Sequence, residues 1–185
     1  MVIKAALRRT IRAHVVGGGL VAYATASCFG LGCDPRNPRA IARLLRLKRR
    51  RKQKGLILIA DRFSRLASFV QTLDNDARRR LEAVWPGPHT WLVAASPKTS
   101  RWARGAHAKV AVRVDAHPDT RALCAILRRA LVSTSLNRTG LRPIRTCREA
   151  RRQFGANVLV VPGQIGNAKT PSTIQDFDTG HTVRP

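Results

Sequence analysis

Gly55 is followed by Leu56-Ile57-Leu58-Ile59-Ala60, five apolar residues in unbroken succession. The run is short for a helix, and without polar alternation it has no solvent face, so it reads as a strand covered on both sides. Such a strand demands a layer above it and a layer below. Further strand-length stretches are Leu20-Val21-Ala22-Tyr23, Thr90-Trp91-Leu92-Val93-Ala94, Val110-Ala111-Val112-Arg113-Val114, 130–134 and 157–161. Helical patterns separate them. Ile3, Leu7, Ile11 and His14 recur at helical spacing until Gly17-Gly18-Gly19. Asn37-Pro38 pairs a capping side chain with a residue suited to a first helical turn, ahead of an Ile41, Leu44, Leu45 stripe. Helices are also expected over 63–70, 74–85 (capped by Asp74 or Asn75), 118–129 and 145–154, with Pro86-Gly87-Pro88 as a rigid turn. Strands alternating with helices imply an α/β layered domain, and with no repeat or low-complexity linker one domain is expected over 1–185.

Charge narrows the function. The chain carries 35 Lys+Arg against 10 Asp+Glu, a formal net charge of +25, while 44% of its residues are hydrophobic. That apolar content supports a packed core, so the excess charge belongs to a folded surface. Glutamate occurs only as Glu82 and Glu149, and the close carboxylates are Asp74/Asp76 and Asp176/Asp178. Carboxylate-pair hydrolysis and carboxylate-rich metal cages fit poorly. Cys28, Cys33, Cys124 and Cys147 form no C-x-x-C pair, which argues against zinc and for buried or free thiols. No apolar run approaches a membrane span and 1–19 reads as an amphipathic helix, so a cytoplasmic location without a membrane partner is expected.

Three segments bear chemistry. Arg46 to Lys54 holds seven cations in nine positions, which as a pattern is equally a solvated charge run. Helical periodicity, however, puts Lys48 within about 20° of Ile41, on the apolar stripe. A lysine there must end the helix or enter a wet site, and a turn after it can direct Arg50 to the same place as a polyanion clamp. Ser133-Thr134-Ser135-Leu136-Asn137-Arg138-Thr139-Gly140 follows an apolar strand and has the hydroxyls, amide and glycine of a phosphate-cradling loop or of an ordinary capped turn. Between Tyr23 and Asp34, Gly30 and Gly32 permit close approach of a ligand or tight packing. His117 before Pro118 reads as a turn or cap residue, and Trp85, Trp91 and Trp102 as core or rim aromatics.

Taken in order, these segments resemble the YrdC-like family of threonylcarbamoyl-AMP synthases in its short bacterial form. The resemblance runs over nearly the whole chain: Thr25 and Phe29-Gly30-Leu31-Gly32-Cys33-Asp34, Leu47-Lys48-Arg49-Arg50, Lys54-Gly55-Leu56-Ile57-Leu58, Trp85-Pro86-Gly87-Pro88, Ser133-Thr134-Ser135-Leu136-Asn137, Pro171-Ser172-Thr173-Ile174 and Arg184-Pro185. It implies a twisted open sheet of mixed strands with flanking helices and a basic concave face, without the extra C-terminal domain of longer relatives. It implies an enzyme, a nucleotidyltransferase condensing L-threonine, bicarbonate and ATP, with Mg²⁺ carried on the ATP, into threonylcarbamoyl-adenylate for t6A at tRNA position 37. The downstream tRNA threonylcarbamoyl-transferase machinery would take the product. The family's K-x-R and S-x-N motifs fall on Lys48, Arg50, Ser135 and Asn137, the implied catalytic set. Thr25 would line the threonine end, and Ser133, Arg113, Ser172 and Arg184 would help hold the nucleotide. The chain departs from the family at Ala24 and Ala26, usually proline and glutamate, at Arg51, usually proline, and at Leu136, usually alanine. The competing reading is a non-catalytic module binding tRNA or double-stranded RNA through the basic face by counterion release.

Overall fold

A computed structural model describes residues 4–185. In chain order the elements are α1 (Ala5–Val16), β1 (Val21–Ala24), β2 (Phe29–Gly32), α2 (Pro38–Lys48), β3 (Ile57–Ala60), α3 (Asn75–Glu82), β4 (His89–Ala94), α4 (Arg101–Arg104), β5 (Lys109–Val114), α5 (Pro118–Leu127), β6 (Leu131–Ser135), α6 (Cys147–Phe154), β7 (Leu159–Val160), β8 (Thr173–Asp176) and β9 (Thr182–Arg184). The strands form one sheet ordered β7-β1-β2-β6-β3-β5-β4-β8-β9. It is mixed: β3 runs parallel to β5, β4 to β8 and β1 to β7, and the other neighbours are antiparallel.

Alternate side chains of each strand enter different apolar layers, as the pleat requires. Ala22, Leu58, Val112 and Val132 belong to the larger layer, which takes in Ile41, Leu44 and Leu45 of α2, Leu81 of α3 and Phe154 of α6. Burying the α2 stripe contributes about 1.5–3 kcal/mol per side chain. Val21, Tyr23, Ile59 and Leu131 belong to the smaller layer, beneath Ile11 and Val15 of α1 and Leu123 and Leu127 of α5. Those two helices cover only part of their face. The uncovered remainder is where the strands carry polar side chains, and it forms the cavity described below.

Capping follows the sequence at α2, where the Asn37 side chain accepts from Ala40 N at 3.0 Å with Pro38 in the first turn. Asp74, not Asn75, caps α3, accepting from Ala77 N at 2.7 Å. Ile3 of the first helical pattern lies outside the described residues.

Several expected boundaries differ. The stretch 63–70 is two separate 3₁₀ turns, Phe63–Arg65 and Ala67–Phe69, and not a helix. Leu66 and Phe69 are buried three residues apart, the 3₁₀ spacing, and Val70 must already be extended to bridge Ala95. The helix expected over 74–85 ends at Glu82, and Trp85, immediately before Pro86, is the position that the proline disfavours in helical geometry. The stretch 157–161 pairs only through Leu159 and Val160. β2, α4 and β9 were not expected as regular elements.

Gly30 and Gly32 make β2 possible. A Cβ on Gly30 would lie 3.0 Å from the Tyr23 ring, and one on Gly32 would lie 3.1 Å from that ring and 2.5 Å from Val132 O. The two glycines therefore admit a side chain of the protein, the Tyr23 phenol. Gly32→Ala is expected to cost about 2 kcal/mol or more, because its closest clash is with backbone. Urea unfolding measures this, and a loss below about 0.5 kcal/mol would show that the sheet absorbs the methyl.

Candidate active site

The uncovered part of the sheet face encloses a cavity of about 1040 Å³. Parity explains its lining. Ile57, Ala111, Arg113, Ser133 and Ser135 point into it from β3, β5 and β6, alternating with the apolar residues that face α2. Asp176 is the only carboxylate in the lining, and Lys109 Nζ holds both its oxygens at 2.6 and 2.7 Å. Arg50, Arg113 and Arg184 also line it; Arg113 is paired with Asp115 behind the wall, and among the described lining residues no carboxylate is left for Arg50 and Arg184. Burial, then the charges of Arg113 and Arg50, lowers the pKa of Arg184. Cations crowded in this way favour an anionic ligand. Arg50 Nε is sealed from solvent and has no hydrogen-bond partner among the described residues, while Arg50 Nη2 donates to Gly55 O at 3.0 Å.

Arg50 reaches the cavity because of how α2 ends. Arg49 takes a left-handed conformation, φ 51°, and Arg50 N donates back to Leu45 O at 3.0 Å. The chain reverses at Lys48, whose side chain is buried. Lys48 Nζ donates to Ser135 O, to Asn137 O at 3.0 Å and to Asn137 Oδ1 at 2.8 Å. Ser135 Oγ donates to the same Oδ1 at 2.7 Å, and Thr139 N and Oγ1 both donate to Lys48 O at 2.9 Å. The helix end and the loop after β6 are thus one hydrogen-bonded unit.

Burial, then the charge of Arg50, lowers Lys48 to about 8 from 10.5. Between those values the unfolded chain holds the extra proton, so from this group stability rises with pH across that window. Other lysines also discharge there, and Lys48→Met isolates the effect. Urea unfolding of both proteins near neutral pH and above about pH 10 should show the difference moving in favour of the wild type at the higher pH. A difference that stays fixed or moves the other way contradicts the assignment.

A second polar chain organises the opposite wall. Asp115 accepts from Arg113 Nε at 3.0 Å and Nη2 at 2.6 Å. Arg113 Nη1 approaches Thr90 Oγ1 at 3.5 Å, Thr90 and Ser172 share a hydroxyl contact at 2.9 Å, and Arg184 forks onto Ser172 O at 3.0 and 2.7 Å. Two arginines distant in sequence are thereby braced against each other's repulsion.

The family model that matches this chain is that of Sua5, YciO and YrdC, described as "Telomere recombination", and it covers residues 14–185. The chain belongs to the Sua5/YciO/YrdC family. Among its relatives, the threonylcarbamoyl-AMP synthase of Methylobacillus flagellatus is 50% identical over 177 residues, 96% of this chain and 98% of that one. The protein of the same name from Thiobacillus denitrificans is 49% identical over 174 residues, 94% of this chain and 93% of that one. A solved variant of P. abyssi Sua5 superposes with a TM-score of 0.90 at 24% identity, covering 99% of this chain and 57% of that longer one. E. coli YciO superposes at 0.83 and 24% identity, over 98% of this chain and 89% of that one. At such identities the two structures speak for the α/β fold alone.

The residues expected from the Sua5/YciO/YrdC resemblance divide in two. Thr25, Arg50, Arg113, Ser133, Ser135, Ser172 and Arg184 all line the one cavity. Lys48 and Asn137 stand behind its wall and support Ser135. Two of the departures from the family pattern, at Ala24 and Leu136, have a local structural account. Without the flanking proline, the Thr25 turn is held by Gly166 N to Thr25 O and Ala168 N to Ala26 O, each 3.0 Å. Leu136 is fully buried in the core and leaves the cavity free. Cys33 is buried but Cys28 is half-buried and lines the cavity. His117 precedes α5 without a side-chain cap bond, and Trp85 and Trp91 are core residues. Sequence reasoning missed Tyr23, Thr90 and Asp115, which support the lining, and Lys109. Lys109 and Arg113, alternating with Val110, Val112 and Val114, were the available signal.

Proposed function

We propose that this cavity condenses L-threonine, bicarbonate and ATP to threonylcarbamoyl-adenylate and pyrophosphate. The observation that carries the reading is the convergence of Arg50, Arg113 and Arg184 with Thr25, Ser133 and Ser135 in one hollow whose single carboxylate is already neutralised. The names of relatives nearly half identical over almost the whole chain support the same reaction, and P. abyssi Sua5 has been solved complexed with L-threonine.

The chemistry explains the residues. Threonine's amine and bicarbonate give a carbamate and water, and a carbamate oxygen then attacks the α-phosphorus as pyrophosphate leaves. Two anions must approach, so alignment and charge neutralisation dominate the barrier. Arg50, Arg113 and Arg184 offset that repulsion and draw charge toward the leaving pyrophosphate. Ser135, braced by Lys48 and Asn137, accepts from the carbamate N–H and so orients it, and Thr25 faces the amino acid. No protein nucleophile enters the sequence. Mg²⁺ comes with ATP as part of the substrate. Asp176 is engaged by Lys109, so the triphosphate and water would carry the metal.

In this reading the adenylate serves t6A formation at tRNA position 37, through the downstream threonylcarbamoyl-transferase machinery in the cytoplasm. Among the described residues no helix is long and apolar enough to cross a membrane. A module that merely binds tRNA or double-stranded RNA has no need of the Lys48 and Asp115 networks. Pyrophosphate release tests the choice. It should require ATP, threonine and bicarbonate together, and release that persists when threonine or bicarbonate is omitted would overturn the proposal.

A further inference from the structure

We propose that Tyr23 is a positioning residue that fixes Ser133 as a hydrogen-bond donor to an anionic oxygen, carboxylate or phosphoryl, of a ligand in the cavity. The inference deepens the reading above and rests on it. Tyr23 is 1% exposed, and its hydroxyl donates to Ser133 Oγ at 2.8 Å across 110 residues of sequence. The direction of that bond is chemical: a phenol is a stronger donor and weaker acceptor than an aliphatic alcohol. Burial raises the phenol pKa further, so the donor proton stays in place at every working pH. The ring itself is wedged over Gly30 and Gly32 and cannot retreat from Ser133 without striking β2.

With one lone pair of Ser133 Oγ occupied by Tyr23, the serine proton must point elsewhere, and Ser133 lines the cavity. The neighbouring hydroxyls are differently committed. Thr25 Oγ1 donates to Cys28 O at 2.7 Å and Ser135 Oγ donates to Asn137 Oδ1 at 2.7 Å. Toward a ligand those two offer lone pairs, suited to an ammonium or hydroxyl group. Of the three hydroxyls, only that of Ser133 has its proton uncommitted. Thr25, Ser133 and Ser135, three of the hydroxyl residues that line the cavity, thus distinguish anionic from donor ends of a ligand by their proton positions, and Tyr23 sets one of them.

The test uses the fact that Tyr23 is the only tyrosine in the chain. Growth on 3-fluorotyrosine labels that site alone, and its fluorine resonance reports on the phenol directly. Binding of ATP and of threonine is measured separately by calorimetry for the wild type, Tyr23→Phe, Ser133→Ala and the double variant. The expected result is that Tyr23→Phe weakens one of the two ligands about fivefold, and that the penalty disappears in the Ser133→Ala background. The fluorine resonance should move on adding that ligand to the wild type and stay in place in Ser133→Ala. Weakened threonine identifies the carboxylate as the anion, and weakened ATP the phosphoryl group. Binding of both ligands unchanged within about twofold by Tyr23→Phe, a penalty that persists without Ser133, or a resonance that moves equally in Ser133→Ala would overturn the proposal. Because binding is read without turnover, a failure of the proposed reaction and a failure of this inference give different results. If Tyr23→Phe does not fold, the fluorine measurement on the wild type and Ser133→Ala still decides the matter.

Discussion

Arg50→Ala should lower kcat/KM for ATP about a hundredfold or more while leaving the unfolding midpoint nearly unchanged. Among the described residues the Arg50 side chain makes one hydrogen bond, to Gly55 O, and its charge is unfavourable beside Lys48 and Arg184. Removing it therefore relieves about as much as it loses in the empty protein. In the transition state the balance changes, because the Arg50 guanidinium lining the cavity meets charge developing on phosphate. Lys48→Ala is the contrasting variant. It strips the donor from Ser135 O, Asn137 O and Asn137 Oδ1 together, so it should lose both activity and about 2–4 kcal/mol of stability. Pyrophosphate release and thermal unfolding measured on both variants separate the two roles. If Arg50→Ala unfolds as readily as Lys48→Ala, Arg50 is a structural residue.

Asp115→Ala should be the most destabilising substitution in the cavity wall, by about 3–5 kcal/mol. Asp115 is 4% exposed and accepts three bonds, two from Arg113 and one from His117 N at 2.8 Å. Its loss leaves a largely buried guanidinium without a counter-charge, and through Thr90 and Ser172 the disturbance reaches Arg184. Urea unfolding gives the stability loss, and calorimetry with ATP should show weaker binding by the fraction that remains folded. A loss below about 1 kcal/mol would mean that Arg113 does not depend on Asp115.

Much of the site was legible because burial conflicts with chemistry at single residues. Lys48 fell on an apolar helical stripe, and the structure resolves the conflict by ending α2 there and giving the ammonium three oxygens. Periodicity revealed the contradiction but not the partners, since Ser135 and Asn137 lie almost ninety residues away. The unbroken run of β3 likewise announced a strand with layers on both sides. What stayed hidden was set by tertiary packing. β2 contains two glycines and has weak strand propensity; it is a strand because the Tyr23 ring occupies the space those glycines leave. β9 is a largely exposed edge strand and β8 beside it is half-buried and mostly polar, so no hydrophobic alternation marks them. The buried Thr90 and Asp115 look ordinary in sequence and acquire meaning only from the arginines they brace.

The central claim is that this cavity brings carbamate and ATP together in spite of their like charge. Supplying ¹³C-labelled bicarbonate with threonine and ATP, and weighing the nucleotide product by mass spectrometry, tests it most directly. The account predicts a threonine-containing adenylate that carries the labelled carbon, formed in step with pyrophosphate and absent when Arg50 is alanine. An adenylate that joins threonine to AMP without the label, or labelled product formed equally well by the Arg50→Ala protein, would contradict it.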